Sequence, residues 1–383
     1  MIILGFILLA AYLFALGMLL YGAMSMPRFT SEEVTPVTRF SVVVPFRNEA
    51  DNLPKLVNSL LKQQYPSDLF ELILVNDASE DNSKAVLAEM LEEDHLQSTL
   101  QSDLPQHSIL DAVRTSNAPK KDAITTAVSN ANYEWIITTD ADCTLPKNWL
   151  RSFDQYIQAH NAVLIAGPVC LDPAESFLQK FQQLDVFSLQ TTTMGSFAWQ
   201  LPLLCNGANL AYKKQVFEAV NGFMGNDHIA SGDDIFMLEK CKQYNAGEIH
   251  YLKAEDAIVS TQAQSSWRQV ISQRVRWASK TANQKSWPSK LLGTLVVLFN
   301  IWVLAGLVYA CFNTSALFYV IAIVLLKLVL DYLYLYSTAT FFRSKLSLPS
   351  FLGGAILYPL LLLIILVKSL KGSYQWKGRN LKK

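Results

Sequence analysis

The strongest constraint on this chain is where its apolar residues gather: at the two ends, in runs long enough to cross a bilayer. Ile2 to Tyr21 carries no charged residue and reaches the ~20 residues a helix needs to span the hydrocarbon core. A cleaved export signal would put Lys or Arg ahead of that run. Here Arg28 and Arg39 come after it instead, so residues 1–24 read as a retained anchor. The positive-inside rule then places the downstream domain on the cytoplasmic side. A second apolar block divides into Leu291–Cys311, Ala316–Tyr336 and Phe351–Val367, giving a C-terminal transmembrane region over 291–370. Residues 371–383 are a basic tail.

Composition agrees. The chain of 383 residues is 51% hydrophobic but only 17% charged, below the ~25% usual for soluble domains. Its formal net charge of zero gives no sign of the basic excess expected of a nucleic-acid binder. The five cysteines are scattered without metal-binding spacing, which fits a reducing compartment. Counting crossings puts Lys368, Lys371, Lys377, Arg379, Lys382 and Lys383 outside, against the positive-inside rule. Either the short third segment, with its Tyr358-Pro359, is re-entrant or interfacial, or the rule is overridden. Lys327 and Asp331, four apart inside the second segment, can pair on one helix face. An internal ion pair is the plainer reading there, ahead of contact with a lipid head group or sugar.

Between the ends, residues 38–286 have another pattern. Phe40 to Pro45 is a β-branched apolar run, a buried strand. Leu53, Leu56, Val57, Leu60 and Leu61 come next at helical spacing. Phe70–Val75, Glu134–Thr139 and Ala162–Ala166 are further strands, with a helix over roughly 83–93. Alternation of this kind predicts an α/β domain with a mostly parallel sheet, whose ligands gather at the carboxyl ends of the strands. His95 to Asn117 is polar and weakly patterned, and reads as variable.

Three strands end in polar clusters: Pro45-Phe46-Arg47-Asn48-Glu49, Asn76-Asp77, and Asp140-Ala141-Asp142. Structurally only a turn is needed at each. Two carboxylates two apart can also hold a hard cation such as Mg²⁺ or Mn²⁺, which bridges to substrate phosphates. A lone Asp-x-Asp is more often a solvated loop; its place directly after a strand raises its weight.

In this order the motifs resemble the family 2 inverting glycosyltransferases, which have the GT-A fold. Val42 to Glu49 resembles that family's first strand and nucleotide-binding turn, and Val75 to Asp81 its second-strand motif, whose Asp contacts the base. Lys120-Lys121-Asp122-Ala123 resembles its Lys-containing segment, Asn206-Gly207-Ala208-Asn209 its acceptor-side loop, and Gly232-Asp233-Asp234 its acidic pair, usually Glu-Asp. Gln273-Arg274-Val275-Arg276-Trp277 matches the Gln-x-x-Arg-Trp motif of membrane-embedded members such as cellulose and hyaluronan synthases and ceramide glucosyltransferases.

The resemblance implies a Rossmann-like GT-A catalytic domain between transmembrane helices, and a metal-dependent hexosyltransferase. Asp234 is the expected base, with Asp233 shaping the site. Asp142 and Asp140 would hold Mg²⁺ or Mn²⁺, which neutralises the leaving diphosphate. Pro45, Arg47, Asn48, Glu49, Asp77, Lys121, Asp140 and Arg274 would bind the nucleotide-sugar, by implication a UDP-sugar. Asn206, Gly207, Gln273, Arg276 and Trp277 would face the acceptor, a lipid or glycan. The expected protein is a multi-pass enzyme of the cell (inner/plasma) membrane with its catalytic domain cytoplasmic.

A lipid or lipid-linked acceptor ranks ahead of a processive polysaccharide synthase, because polymer synthases carry more membrane helices to form a channel. A binding protein without turnover would be expected to lose Asp142 or Asp234. A nucleotidyltransferase would favour a glycine-rich loop after the first strand, and none is there. Plainer readings stand beside the motif residues. Asp233 and Asp234 could simply favour a helix N-terminus capped by Ser231. Arg274, Arg276 and the repeated Trp267, Trp277 and Trp287 could mark the membrane interface. His228 alone carries no catalytic assignment.

Overall fold

The computed structural model describes residues 1–30, 34–97, 104–369, 373–377 and 379–382. Strand β1 (Phe40–Phe46) is buried along its whole length, as its β-branched run requires. It pairs in parallel with β2 (Phe70–Asn76), Phe40 opposite Phe70, and with β4 (Trp135–Thr138), Phe40 opposite Trp135. Outside β2 lies β3 (Gln106–Asp111), also parallel. This strand falls in the stretch read from sequence as merely variable, and its residues are only half-buried. Beyond β4 come three short strands: β5 (Leu164–Ala166), β6 (Leu210–Lys213) and β7 (Ile249–Tyr251). The order is β3-β2-β1-β4-β6-β5-β7; only β6 runs antiparallel to its neighbours.

This arrangement places the site. The parallel register brings the carboxyl ends of β1, β2 and β4 to one edge, just before Arg47, Asp77 and Asp140. Because β6 is antiparallel to β4, with Leu210 opposite Thr138, the loop entering β6 arrives at the same edge. The Thr138 hydroxyl donates to the carbonyl of Gly207 at 2.7 Å and ties the two together.

The sheet belongs to one of two compact units, formed by residues 28–172, 205–262 and 375–383. The other comprises residues 1–27, 173–204 and 263–374 and is helical. Among its described residues are four helices long and apolar enough to cross a membrane: Ile2–Ser25, Trp287–Phe312, Thr314–Phe341 and Leu348–Ser369. The last is an unbroken helix of 22 residues through Pro359, longer than the apolar run alone indicated. The same unit contains Phe177–Ala198, a helix of mixed polarity that binds its apolar neighbours by close approach and hydrogen bonds. A Cβ at Gly195 would lie 2.0 Å from the carbonyl oxygen of Leu19, so glycine permits the backbones to touch. The Thr191 and Thr338 hydroxyls meet at 2.5 Å, and Thr191 also donates to the Tyr334 carbonyl at 2.9 Å.

Candidate active site

The turns after β1 and β2 lock onto each other. Asn48 takes a left-handed φ of 52°, a conformation its short polar side chain tolerates. Its side-chain oxygen accepts from the Glu80 amide at 2.8 Å, and its own amide donates to Ser79 Oγ at 3.1 Å. The buried Arg47 guanidinium donates to the carbonyls of Asp77 (3.0 Å) and Ala78 and pairs with Glu80 at 2.6 Å. Arg47 therefore spends most of its donors on the neighbouring turn, and its Nε donates to the Lys377 carbonyl at 3.4 Å. Pro45 lies inside β1 itself and is buried there.

Asp77 is only 2% exposed, yet two arginines reach it. Arg114 pairs with its carboxylate, and Arg379 Nη1 lies 3.0 Å from both carboxylate oxygens while Nη2 donates to the Asp77 carbonyl at 3.1 Å. Beside them Lys377 pairs with Glu49 and donates to the Arg47 carbonyl at 3.0 Å. Burial, with Arg47 alongside, pushes the Lys377 ammonium down to about 8. The sequence assigned no site role to Arg114, Lys377 or Arg379. The last two come from the tail, whose strands Ser373–Trp376 and Arg379–Lys382 pair with each other.

The carboxylates form a second cluster. Lys120 Nζ lies 2.7 Å from Asp140 Oδ1 and 3.0 Å from Asp233 Oδ2. Burial works against the Lys120 charge, but Asp140, Asp233 and Asp234 outweigh it and hold the ammonium above its ordinary value. Gly207 sits against the same group: a Cβ there would lie 2.9 Å from Asp233 Oδ2 and 3.6 Å from both Asp234 Cβ and Lys120 Nζ. Asp233 and Asp234 open the helix Asp233–Asn245, after Gly232 at φ 89°, so the residue at the cap is Gly232 rather than Ser231. The helix N-terminus favours their negative charge.

Lys121, the lysine expected at the donor, does not reach the carboxylate cluster. It is buried, donates to the carbonyls of Asn226 (2.7 Å) and Ile229 (2.9 Å), and lies 4.4 Å from the centre of the Phe236 ring. Its neighbour Lys120 is the one that reaches the carboxylates. Asn206 shapes its own loop, its side-chain oxygen accepting from the Ala208 amide at 3.0 Å.

Asp142 stands beside Asp140. Burial, then the Asp140 charge, push its carboxyl up to about 6. Two carboxylates so placed suit a divalent cation, which would relieve both effects. Among the described residues no group of three or more His, Cys, Asp or Glu forms a closed metal cage. The remaining ligands would have to come from a bound substrate, as is common for Mg²⁺ and Mn²⁺.

Known proteins are similar to this chain in sequence family and in fold. Residues 41–220 match Glycosyl transferase family 2, and residues 135–364, more than half of the chain, match Glycosyl transferase family group 2. The chain is a family 2 glycosyltransferase. Its fold is that of the mannosyltransferase PcManGT from Pyrobaculum calidifontis, solved in complex with GDP-Man and Mn2+, at 19% identity and a TM-score of 0.56 over 97% of this chain and 99% of that one. The probable glycosyltransferase YdaM of Bacillus subtilis (strain 168) is 23% identical over 251 residues, 64% of this chain and 56% of YdaM. An undecaprenyl-phosphate 4-deoxy-4-formamido-L-arabinose transferase of Proteus mirabilis (strain HI4320) is 32% identical over 111 residues, 29% of this chain and 31% of that protein. The match thus spans about half or less of these relatives.

The Gln-x-x-Arg-Trp residues of this glycosyltransferase lie in the helical unit, on helix Trp267–Asn283. Arg274 pairs with Asp185, donates to Gln273 Oε1 at 2.6 Å and stacks 4.0 Å from the centre of the Trp277 ring. Arg276 lies on the same helix. Trp267 packs on Phe181 with ring centres 5.3 Å apart, so it is more than an interfacial anchor.

Proposed function

We propose that this protein is a membrane-bound inverting glycosyltransferase. It moves a sugar from a nucleotide-diphospho-sugar, taken as a UDP-sugar, to a lipid or lipid-linked acceptor at the cytoplasmic face of the membrane. The observation that carries the reading is the convergence of Asp140, Lys120, Asp233 and Asp234 around Gly207, at the sheet edge where Asp77 and Glu49 also lie. The relative acting on undecaprenyl phosphate supports the lipid acceptor, and the Mn2+ in the mannosyltransferase complex supports the metal.

In this reading Asp142, with Asp140, holds Mg²⁺ or Mn²⁺, which supplies charge neutralisation for the departing diphosphate. Asp234 takes the proton of the acceptor hydroxyl as it attacks the anomeric carbon, and the configuration inverts. Asp233 is held by Lys120 and keeps Asp234 in place. Asp77 accepts from the base of the nucleotide, and Glu49 and Asn48 line the same turn. Gln273, Arg276 and Trp277 serve the acceptor.

The test is to incubate the full-length protein in lipid with a panel of nucleotide-sugars, Mn²⁺ and membrane lipid, beside Asp234→Asn. A glycolipid made from one donor, and reduced about 10³-fold in the variant, is the expected result for a lost general base. Polymer in place of glycolipid would turn the reading toward a processive synthase, and turnover equal in both proteins would remove Asp234 from the mechanism.

A further inference from the structure

The helical unit of this glycosyltransferase contains a cavity of about 450 Å³ that is unlike the polar edge of the sheet. Much of its wall is apolar, with Leu16, Leu189, Val296 and Leu362 among the residues that face it. Four charged residues face it too: Asp185, Arg274, Lys327 and Asp331. These cancel in pairs. Arg274 is held by Asp185 and by the Trp277 ring, and Lys327 Nζ lies 2.6 Å from Asp331 Oδ2, whose other oxygen accepts from the Tyr12 hydroxyl at 2.8 Å. Among the described residues of the wall no cation is left for an anionic head group, and opening either pair away from water would cost several-fold more than opening one at a surface.

What the wall leaves unused is acceptor capacity. Asn300 and Gln284 both line the cavity and are each only 1% exposed. Asn300 Oδ1 and Gln284 Oε1 have no hydrogen-bond partner among the described residues. Their orientation is fixed by their nitrogens. Asn300 Nδ2 donates to the Val296 carbonyl at 2.8 Å, and Gln284 Nε2 to the Leu203 carbonyl at 3.2 Å and Ser289 Oγ at 3.3 Å. Turning either amide would set oxygen against a carbonyl oxygen. A buried carbonyl without a donor is costly, and two on one cavity wall call for a ligand that brings O–H or N–H groups.

We propose that this cavity binds an uncharged lipid whose head group donates hydroxyl or amide hydrogens to Asn300 and Gln284 while its chains lie against the apolar wall. The inference rests on the lipid-acceptor reading and narrows it. Neutral lipid of the diacylglycerol type is preferred over a lipid phosphate, because the charges of the wall are matched before any ligand arrives.

Native mass spectrometry of the full-length protein, titrated with dioleoylglycerol or with undecaprenyl phosphate, tests this. Dioleoylglycerol should bind preferentially, and Asn300→Leu should weaken it about fivefold, the value of one hydrogen bond. Gln284→Met should act in the same direction. Asn300→Leu should leave the melting temperature of the lipid-free protein unchanged or higher, because it removes an unused oxygen and a nitrogen whose carbonyl partner is already served by its own helix. Tighter binding of the lipid phosphate, or wild-type binding of dioleoylglycerol by both variants, would overturn the proposal. Binding is read apart from turnover, so its failure would leave Asp234-dependent transfer standing, and loss of that transfer would leave the binding result intact.

Discussion

The carboxylates around Lys120 and the charged residues of the helical unit's cavity are balanced in opposite ways. On the cavity wall of the helical unit each carboxylate has its own cation: Asp185 has Arg274, and Asp331 has Lys327. At the sheet edge one ammonium, Lys120, serves Asp140 and Asp233 together, while the Asp142 carboxyl beside them is pushed up to about 6. A cluster matched within itself has little to gain from an ion. A cluster short of positive charge gains from one, and on the proposed reading that separates a site for a metal and a leaving diphosphate from a cavity for a neutral molecule.

Removing the metal side of this contrast should have the largest effect. With Asp142→Asn the turnover at saturating Mn²⁺ is expected to fall about 10²–10³-fold, in the range for losing a group that stabilises developing charge. Chelation of the wild type should reach the same floor, and Mn²⁺ should restore the wild type alone. If chelator leaves turnover untouched, the excess of negative charge serves something other than a metal.

The adjacent lysines sharpen the comparison at the next scale. Lys120→Met should lower turnover about tenfold or more, and because it leaves Asp140 and Asp233 without their shared ammonium, the melting temperature at neutral pH should fall too. Lys121→Met should lower stability while leaving turnover nearly unchanged. It leaves the buried Ile229 carbonyl and the half-buried Asn226 carbonyl without this donor, so a loss of about 2 kcal/mol in stability is expected, visible as a lower denaturation midpoint. Equal effects on turnover would mean that sequence, which pointed to Lys121, was the better guide.

That pair also shows where sequence reading stops. β1, β2 and β4 were legible because buried β-branched runs have few other uses, and their ends carried the polar residues. β3 was not, because Gln106-His107-Ser108 is half-buried at a sheet edge and has no apolar pattern to announce it. Which of two consecutive lysines faces the carboxylates depends on the phase of the helix Pro119–Asn130, which short polar motifs do not set. The helix Phe177–Ala198 is too polar for a membrane pattern and becomes intelligible only through Gly195 and its threonines. Contacts of Arg379 with Asp77, 302 positions away, leave no local trace at all.

A smaller and cleaner measure of the charge deficit is the pH dependence of stability in metal-free protein. Asp142 has a folded-state value raised to about 6, above the ordinary ~3.9. Its contribution is therefore fully present below the unfolded value and is lost as pH rises through 6, where the buried carboxyl must ionise beside Asp140. Asp142→Asn removes that loss. The variant should melt roughly 2–4 °C above the wild type at pH 7.5, with the gap closing near pH 4. A gap of the same size at both pH values would show that packing rather than charge is responsible.

The tail gives the smallest expected effect and the finest test of balance at the sheet edge. If Asp77 accepts from a nucleotide base as proposed, the base competes with Arg379, which bonds both of its carboxylate oxygens. The donor would then weaken a charge-assisted contact, though a partly exposed one whose net value is modest. Arg379→Ala should lower the KM for the nucleotide-sugar about threefold and leave kcat unchanged, because Arg114 remains to hold Asp77. A KM that rises instead would mean that Arg379 moves onto the diphosphate when the donor binds. The tail would then belong to the donor site, and the sheet edge would carry more positive charge during the reaction than it carries at rest.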